Sequence, residues 1–142
     1  MGIAWIVPGC LAATSLMTAF SYYTSAATGK QFREPVLLNG LLSGWANRTF
    51  SANHPAGWLI HFGVGLLFMV AYHFIFRDMD IIWVHYVLAG FFSGIIGVSV
   101  WYVVLNTHPD PPRTDRKSFY AQLIPAHIVF GLGAYAIDAI VL

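Results

Sequence analysis

Ile81-Ile-Trp-Val-His-Tyr-Val-Leu-Ala-Gly-Phe-Phe-Ser-Gly-Ile-Ile-Gly-Val-Ser-Val-Trp-Tyr-Val-Val-Leu105 runs for 25 residues without one Asp, Glu, Lys or Arg. Crossing the hydrocarbon core of a bilayer takes about 20 apolar residues of helix. An amphipathic helix on a soluble protein keeps a polar face at a 3.6-residue period. This stretch is apolar nearly all round, so it reads as a membrane span. Three further runs share its character. They are Ile3 to Tyr23, roughly Ala56 to Phe76, and about Phe119 to Leu142, the last carrying a single acid, Asp138. Arg77-Asp78-Met79-Asp80 makes a very short turn between the second and third runs.

Composition agrees. Of 142 residues, 58% are hydrophobic and 9% charged, against about 25% charged in an ordinary soluble domain. A chain this short cannot surround four such helices with soluble structure. The expected fold is all-α: a four-helix transmembrane bundle, one domain over 1–142, with spans at about 3–23, 56–76, 81–105 and 119–142. The net charge of +1 gives no basic field for nucleic acid. Cys10 stands alone, so no disulfide forms within the chain. The apolar start lacks a basic leader and a small-residue cleavage site. Gly9-Cys10 looks like the end of a lipoprotein signal, but the residues before it are few and uncharged, so the first run reads as a retained anchor.

Lys and Arg set the expected orientation. The first loop holds Lys30, Arg33 and Arg48, and the third holds Arg113, Arg116 and Lys117. The second has only Arg77, and neither end of the chain has any. Loops one and three share a side in a four-span chain, so that side is expected to be cytoplasmic, with both termini outward. Trp58, Trp83, Trp101, Tyr102 and Tyr120 fall near span ends, where aromatic belts sit. In the first loop Glu34-Pro35 reads as a helix start. Val36, Leu37, Leu38, Leu41, Leu42 and Trp45 then form an apolar stripe, opposite Asn39, Ser43 and Asn47. An amphipathic interfacial helix over about 35–48 is expected, lying at the interface or tucked against the bundle. The third loop, Asn106 to Arg113, is stiffened by Pro109, Pro111 and Pro112.

Polar residues inside spans normally face the bundle and find partners. His61-Phe-Gly-Val-Gly65-Leu66 aligns with His127-Ile-Val-Phe-Gly131-Leu132, the trace of a duplicated hairpin. Both histidines then lie at similar depth, facing inward. Two matched imidazoles can ligate a haem b axially, and the glycine four residues after each would leave room for the macrocycle. Hydrogen-bonded packing histidines, a proton path and another ligand pocket stay open beside that. His73, His85 and Asp138, with Asp78 or Asp80 nearby, form a second, outer layer of metal-ligand types for zinc or copper, at a spacing that fits no metal motif. No serine elbow, phosphate loop or H-E-x-x-H stands in the sequence, so an enzyme is not the first expectation. Gly90-x-x-x-Gly94 followed by Gly97 makes a small-residue ridge. It packs inside the chain or docks a second subunit.

Arg33-Glu34-Pro35, Gly57-Trp58-x-x-His61, His108-Pro-x-Pro-Pro112, Phe119-Tyr-x-Gln-Leu123 and Ala126-His127-x-x-Phe-Gly131 together resemble a group of small four-span membrane proteins of Bacteroidetes-type bacteria. The resemblance covers nearly the whole chain. It implies the fold and a bacterial inner membrane, transfers no activity, and draws attention to Glu34, His61, His108, Gln122 and His127. Glu34 and Arg33 are expected to dock the interfacial helix onto the Pro-rich loop. The leading functional expectation is a structural or accessory subunit, in a homo-oligomer or with other membrane subunits. The alternatives are a membrane protein binding haem or another ligand at His61 and His127, and a small transporter.

Overall fold

The computed structural model describes residues 3–79 and 82–141; the expected span limits at Ile81 and Leu142, and Asp80, lie outside them. A short 3-10 turn, Ile3–Trp5, leads into α1 (Ile6–Thr28), followed by α2 (Glu34–Ala46), α3 (Pro55–Phe76), α4 (Trp83–Thr107) and α5 (Arg116–Val141). No strand occurs among the described residues. Local chemistry sets the ends. Pro35 and Pro55 sit in first turns, where a missing N–H costs nothing. Asn47 closes α2 in the left-handed region at φ 48°, a conformation Asn tolerates. His54 Nδ1 accepts from Ala56 N at 3.2 Å at the start of α3.

Among the described residues, three helices are long and apolar enough to cross a membrane: α3, α4 and the Arg116–Ile140 part of α5. The first is different. Thr14, Thr18, Ser21 and Ser25 of α1 are all buried, spaced four, three and four residues apart so that they share one stripe. These hydroxyls dilute the apolar character of α1, while Val7, Leu11 and Leu16 face outward. The expectation of four strongly apolar spans is therefore met by three helices.

Helix α5 is central. It packs against α4 and α1, α1 packs against α3, and α2 lies on α3. Two apolar cores result. One joins Met17, Met69, Tyr72, Tyr86 and Phe130. The other, at the α2 end, joins Phe32, Leu37, Leu105, Phe119 and Leu123. Close helix contact depends on glycine. A Cβ at Gly90 would stand 2.5 Å from the carbonyl oxygen of His127, and one at Gly94 would stand 2.9 Å from Ile124 Cα. The Gly90–Gly94 ridge is thus covered by α5 of the same chain, not left for another subunit.

Loops one and three meet, as expected of loops on one side. Lys30 Nζ donates to Asp115 Oδ2 at 2.6 Å and Thr114 Oγ1 to Gln31 O at 2.7 Å. The docking of α2 on the Pro-rich loop, however, is made by His108, whose Nε2 donates to Leu41 O at 2.9 Å. Arg33 instead lies over the Tyr22 ring, 5.6 Å from its centroid, and Glu34 turns inward. Asn39 corrects the two-faced picture of α2. It is buried, donates to Ala52 O and His54 O at 3.0 and 2.9 Å, and accepts from Gly57 N at 2.8 Å. Both faces of α2 are therefore engaged, and it is tucked against the bundle.

Candidate functional site: a cavity between α3 and α4

Helices α3 and α4 touch near the turn that joins them. Tyr72 Oη and Ser93 Oγ are 3.0 Å apart there, and the Phe76 and Tyr86 rings are centred 4.9 Å apart. Away from that turn they do not pack together as the other neighbouring helices do. Between them lies a cavity of about 310 Å³, backed by α1 and α5 and covered at one end by α2. Val64 of α3 and Ile96 and Val100 of α4 line it, and all three are also exposed on the outer surface. The cavity therefore opens sideways, through apolar side chains. Trp45, Phe68, Trp101 and Phe130 supply aromatic walls.

Three ionisable residues face this apolar space: Glu34, His61 and His127. Each is buried, and each is held by a specific partner. Thr18 on α1 stands 2.8 Å from His61 Nε2, and its own hydroxyl donates to Thr14 O at 2.6 Å. His127 Nδ1 donates to Leu123 O, one turn back, at 2.8 Å. Its other ring edge faces Gly97, where a Cβ would lie 3.1 Å from Nε2. Phe68 meets the His127 ring edge-on at 5.7 Å. Ser21 of α1 donates to Glu34 Oε1 at 2.7 Å and accepts from Gln122 Nε2 at 2.8 Å. Glu34 Oε2 and Gln122 Oε1 are buried with no hydrogen-bond partner among the described residues. Burial pushes the Glu34 carboxyl up to about 7, against the opposing bond from Ser21, because a low-dielectric site penalises the charged form.

The sequence expectation that His61 and His127 face inward is matched: both are buried and line this cavity. The haem geometry is not supported. The glycines thought to clear space for a macrocycle receive neighbouring helices instead. A Cβ at Gly65 would strike Thr14 Oγ1, and one at Gly131 would strike the Tyr86 carbonyl. His61 Nε2 is taken by Thr18, no Lys or Arg lines the cavity to receive propionates, and the space suits something smaller than a haem. The outer layer does not assemble either. Among the described residues no three His, Cys, Asp or Glu are grouped to hold a metal ion. His85 Nδ1 accepts from Ile82 N at 3.2 Å, His73 abuts the Phe74 ring at 5.6 Å, and Asp138 is buried. The polar contact between α3 and α4 at that level is made by Tyr72 and Ser93.

Sequence reading missed Thr18 and Ser21, the two hydroxyls that orient His61 and Glu34. Their signal was the heptad-like spacing of Thr14, Thr18, Ser21 and Ser25 in an otherwise apolar run.

Fold and cavity together define an all-helical protein with helices long and apolar enough to cross a bilayer and a polar-ended chamber that opens through its outer surface. Compared with known protein families, characterised proteins and solved structures, the chain matches none.

Proposed function

We propose that this protein is a multi-pass protein of a bacterial inner membrane that binds a small lipophilic molecule in the cavity between α3 and α4. One observation carries the reading: a single, mostly apolar cavity collects Glu34, His61 and His127 from three different helices. Binding sites for small molecules are typically apolar chambers of about 300–1,000 Å³ with a few placed polar groups. Ionisable groups are costly at membrane depth and are retained where they serve a site. The side opening suits a ligand that arrives from the bilayer.

In this account α1 crosses as a fourth span. Its apolar outer face supports that, together with hydroxyls bonded inside the protein, such as Thr24 Oγ1 to Phe20 O at 3.0 Å. The α2 end carries Lys30, Arg33, Arg48, Arg113, Arg116 and Lys117, which favours the cytoplasmic side for it and the outer side for the termini. The glycine ridge, one feature that suggested an accessory subunit, is covered by α5.

Native mass spectrometry of the protein released from mild detergent tests the reading. The wild type is expected to carry a discrete small-molecule adduct. Val64→Trp and Val100→Trp, which plug the cavity from its exposed mouth, should lose it, while Leu59→Phe on the outer face should keep it. A bare wild type, or adducts unchanged in both plugged variants, overturns the proposal.

A further inference from the structure

The hydrogen bonds fix which way the protons point, and that restricts the ligand. A hydroxyl has one proton, and that of Thr18 goes to Thr14 O, 2.6 Å away, since a carbonyl only accepts. Thr18 Oγ1 therefore accepts from His61 Nε2–H across 2.8 Å. In a neutral imidazole the other nitrogen is then bare, so His61 keeps Nδ1 as an acceptor. The same logic applies to His127: Nδ1–H donates to Leu123 O at 2.8 Å, which leaves Nε2 as an acceptor beside Gly97. Neither nitrogen has a partner among the described residues. Glu34 Oε2 is a buried oxygen without one, and it becomes a donor when the carboxyl is protonated. The two imidazoles thus each turn an acceptor nitrogen toward the chamber they line. Buried acceptors cost free energy until something donates to them.

Resting on the binding reading above, we infer that the ligand is a hydrogen-bond donor with an aromatic ring and an apolar tail, the chemistry of a membrane quinol. Two hydroxyls on one flat ring supply donors to separated acceptors. The aromatic walls formed by Trp45, Phe68, Trp101 and Phe130 suit offset or edge-on packing against such a ring. The tail leaves through the apolar opening between α3 and α4. Other membrane amphiphiles fit less well. A fatty acid or phospholipid brings an anion to a chamber with no Lys or Arg in its lining and with Glu34 in it. A quinone brings two acceptors and nothing to donate to either imidazole nitrogen. An alkyl ammonium brings donors, but the ion must be desolvated against neutral imidazoles.

Trp45 and Trp101 report occupancy directly. A short-tailed benzoquinol, its quinone, decylamine and decanol would each be titrated, without oxygen, onto the full chain in lipid nanodiscs while tryptophan emission is read. The quinol is expected to quench saturably. It should bind at least about tenfold tighter than the quinone, the effect of roughly one well-placed hydrogen bond. His127→Phe should weaken quinol binding by about the same factor, and Trp45→Phe with Trp101→Phe should remove the signal. Val100→Trp, at the exposed mouth, gives a second way to block binding should His127→Phe not fold. Quinone binding as tight as quinol, or tighter binding of decylamine or decanol, overturns the quinol assignment and leaves the cavity reading standing. No binding of any probe, with an adduct still present on the native protein, also overturns the ligand class. No probe binding and no adduct overturns both.

Discussion

Thr18 Oγ1 and His61 Nε2 lie 2.8 Å apart, and this contact ties the hydroxyl stripe of α1 to the cavity. The threonine turns the imidazole so that its bare nitrogen is free for a ligand. Replacing Thr18 with Val keeps the shape and removes the acceptor. A buried N–H left without a partner costs roughly 1–3 kcal/mol. Thr18→Val should therefore lower the melting temperature in detergent and weaken ligand binding, whereas Thr18→Ser should retain most of both. An unchanged Thr18→Val protein would show that His61 is not oriented through Thr18.

Glu34 makes stability depend on pH. Its carboxyl is pushed from 4.5 up to about 7 by burial, so the folded protein holds a proton that the unfolded chain has released. The stabilising contribution is fully present below about 4.5 and is lost as pH rises through about 7. Its size is roughly 3 kcal/mol. Melting temperature should fall between pH 5 and pH 8 in the wild type. It should fall less in Glu34→Gln, which keeps an acceptor for Ser21 and adds an N–H for a neighbouring oxygen such as Gln122 Oε1. Parallel curves for the two proteins would contradict the assignment.

The glycine ridge of α4 separates folding from assembly. A side chain at Gly90 would meet the backbone of His127 and Ile128, and one at Gly94 that of Ile124. Backbone cannot move aside as a flexible side chain does. Gly90→Leu and Gly94→Leu should therefore cost several kcal/mol and abolish the folded monomer. Light scattering and circular dichroism would check this. A folded protein that had only lost an oligomer would restore the docking-face reading.

His108 is the clasp of α2. Besides donating to Leu41 O, it accepts at Nδ1 from Asp110 N at 3.1 Å and lies 4.8 Å from the Trp45 ring. Losing the bond in His108→Phe should leave α3, α4 and α5 intact and free α2. Hydrogen exchange would then quicken over residues 36–46 and not over 60–76. Uniform exchange across both segments would mean that α2 is not a separable cover.

The apolar helices α3 and α4 were plain in the sequence because each is one unbroken run. The inward facing of His61 and His127 was also legible, since polar residues within spans turn toward the bundle. Other features were hidden because they depend on a second element. Asn39 looked like the wet side of an amphipathic helix until Ala52, His54 and Gly57 closed around it. Glu34 sat beside Arg33 in a basic loop, and nothing local marked Ser21 as its partner. The two glycines after the histidines announced close approach but not what approaches. Helix α1 read as a span from its charge-free run, but nothing local showed that its hydroxyls would orient His61 and Glu34.

The central claim is that a ligand occupies the space between α3 and α4 against the two bare imidazole nitrogens. A high-resolution density map of the protein purified directly from its native membrane tests that most directly. The account predicts elongated density in the cavity, within hydrogen-bond distance of His61 Nδ1 or His127 Nε2, extending out past Val64 and Val100. A closed cavity, with α3 packed on α4 along its length and no density between the histidines, would contradict it.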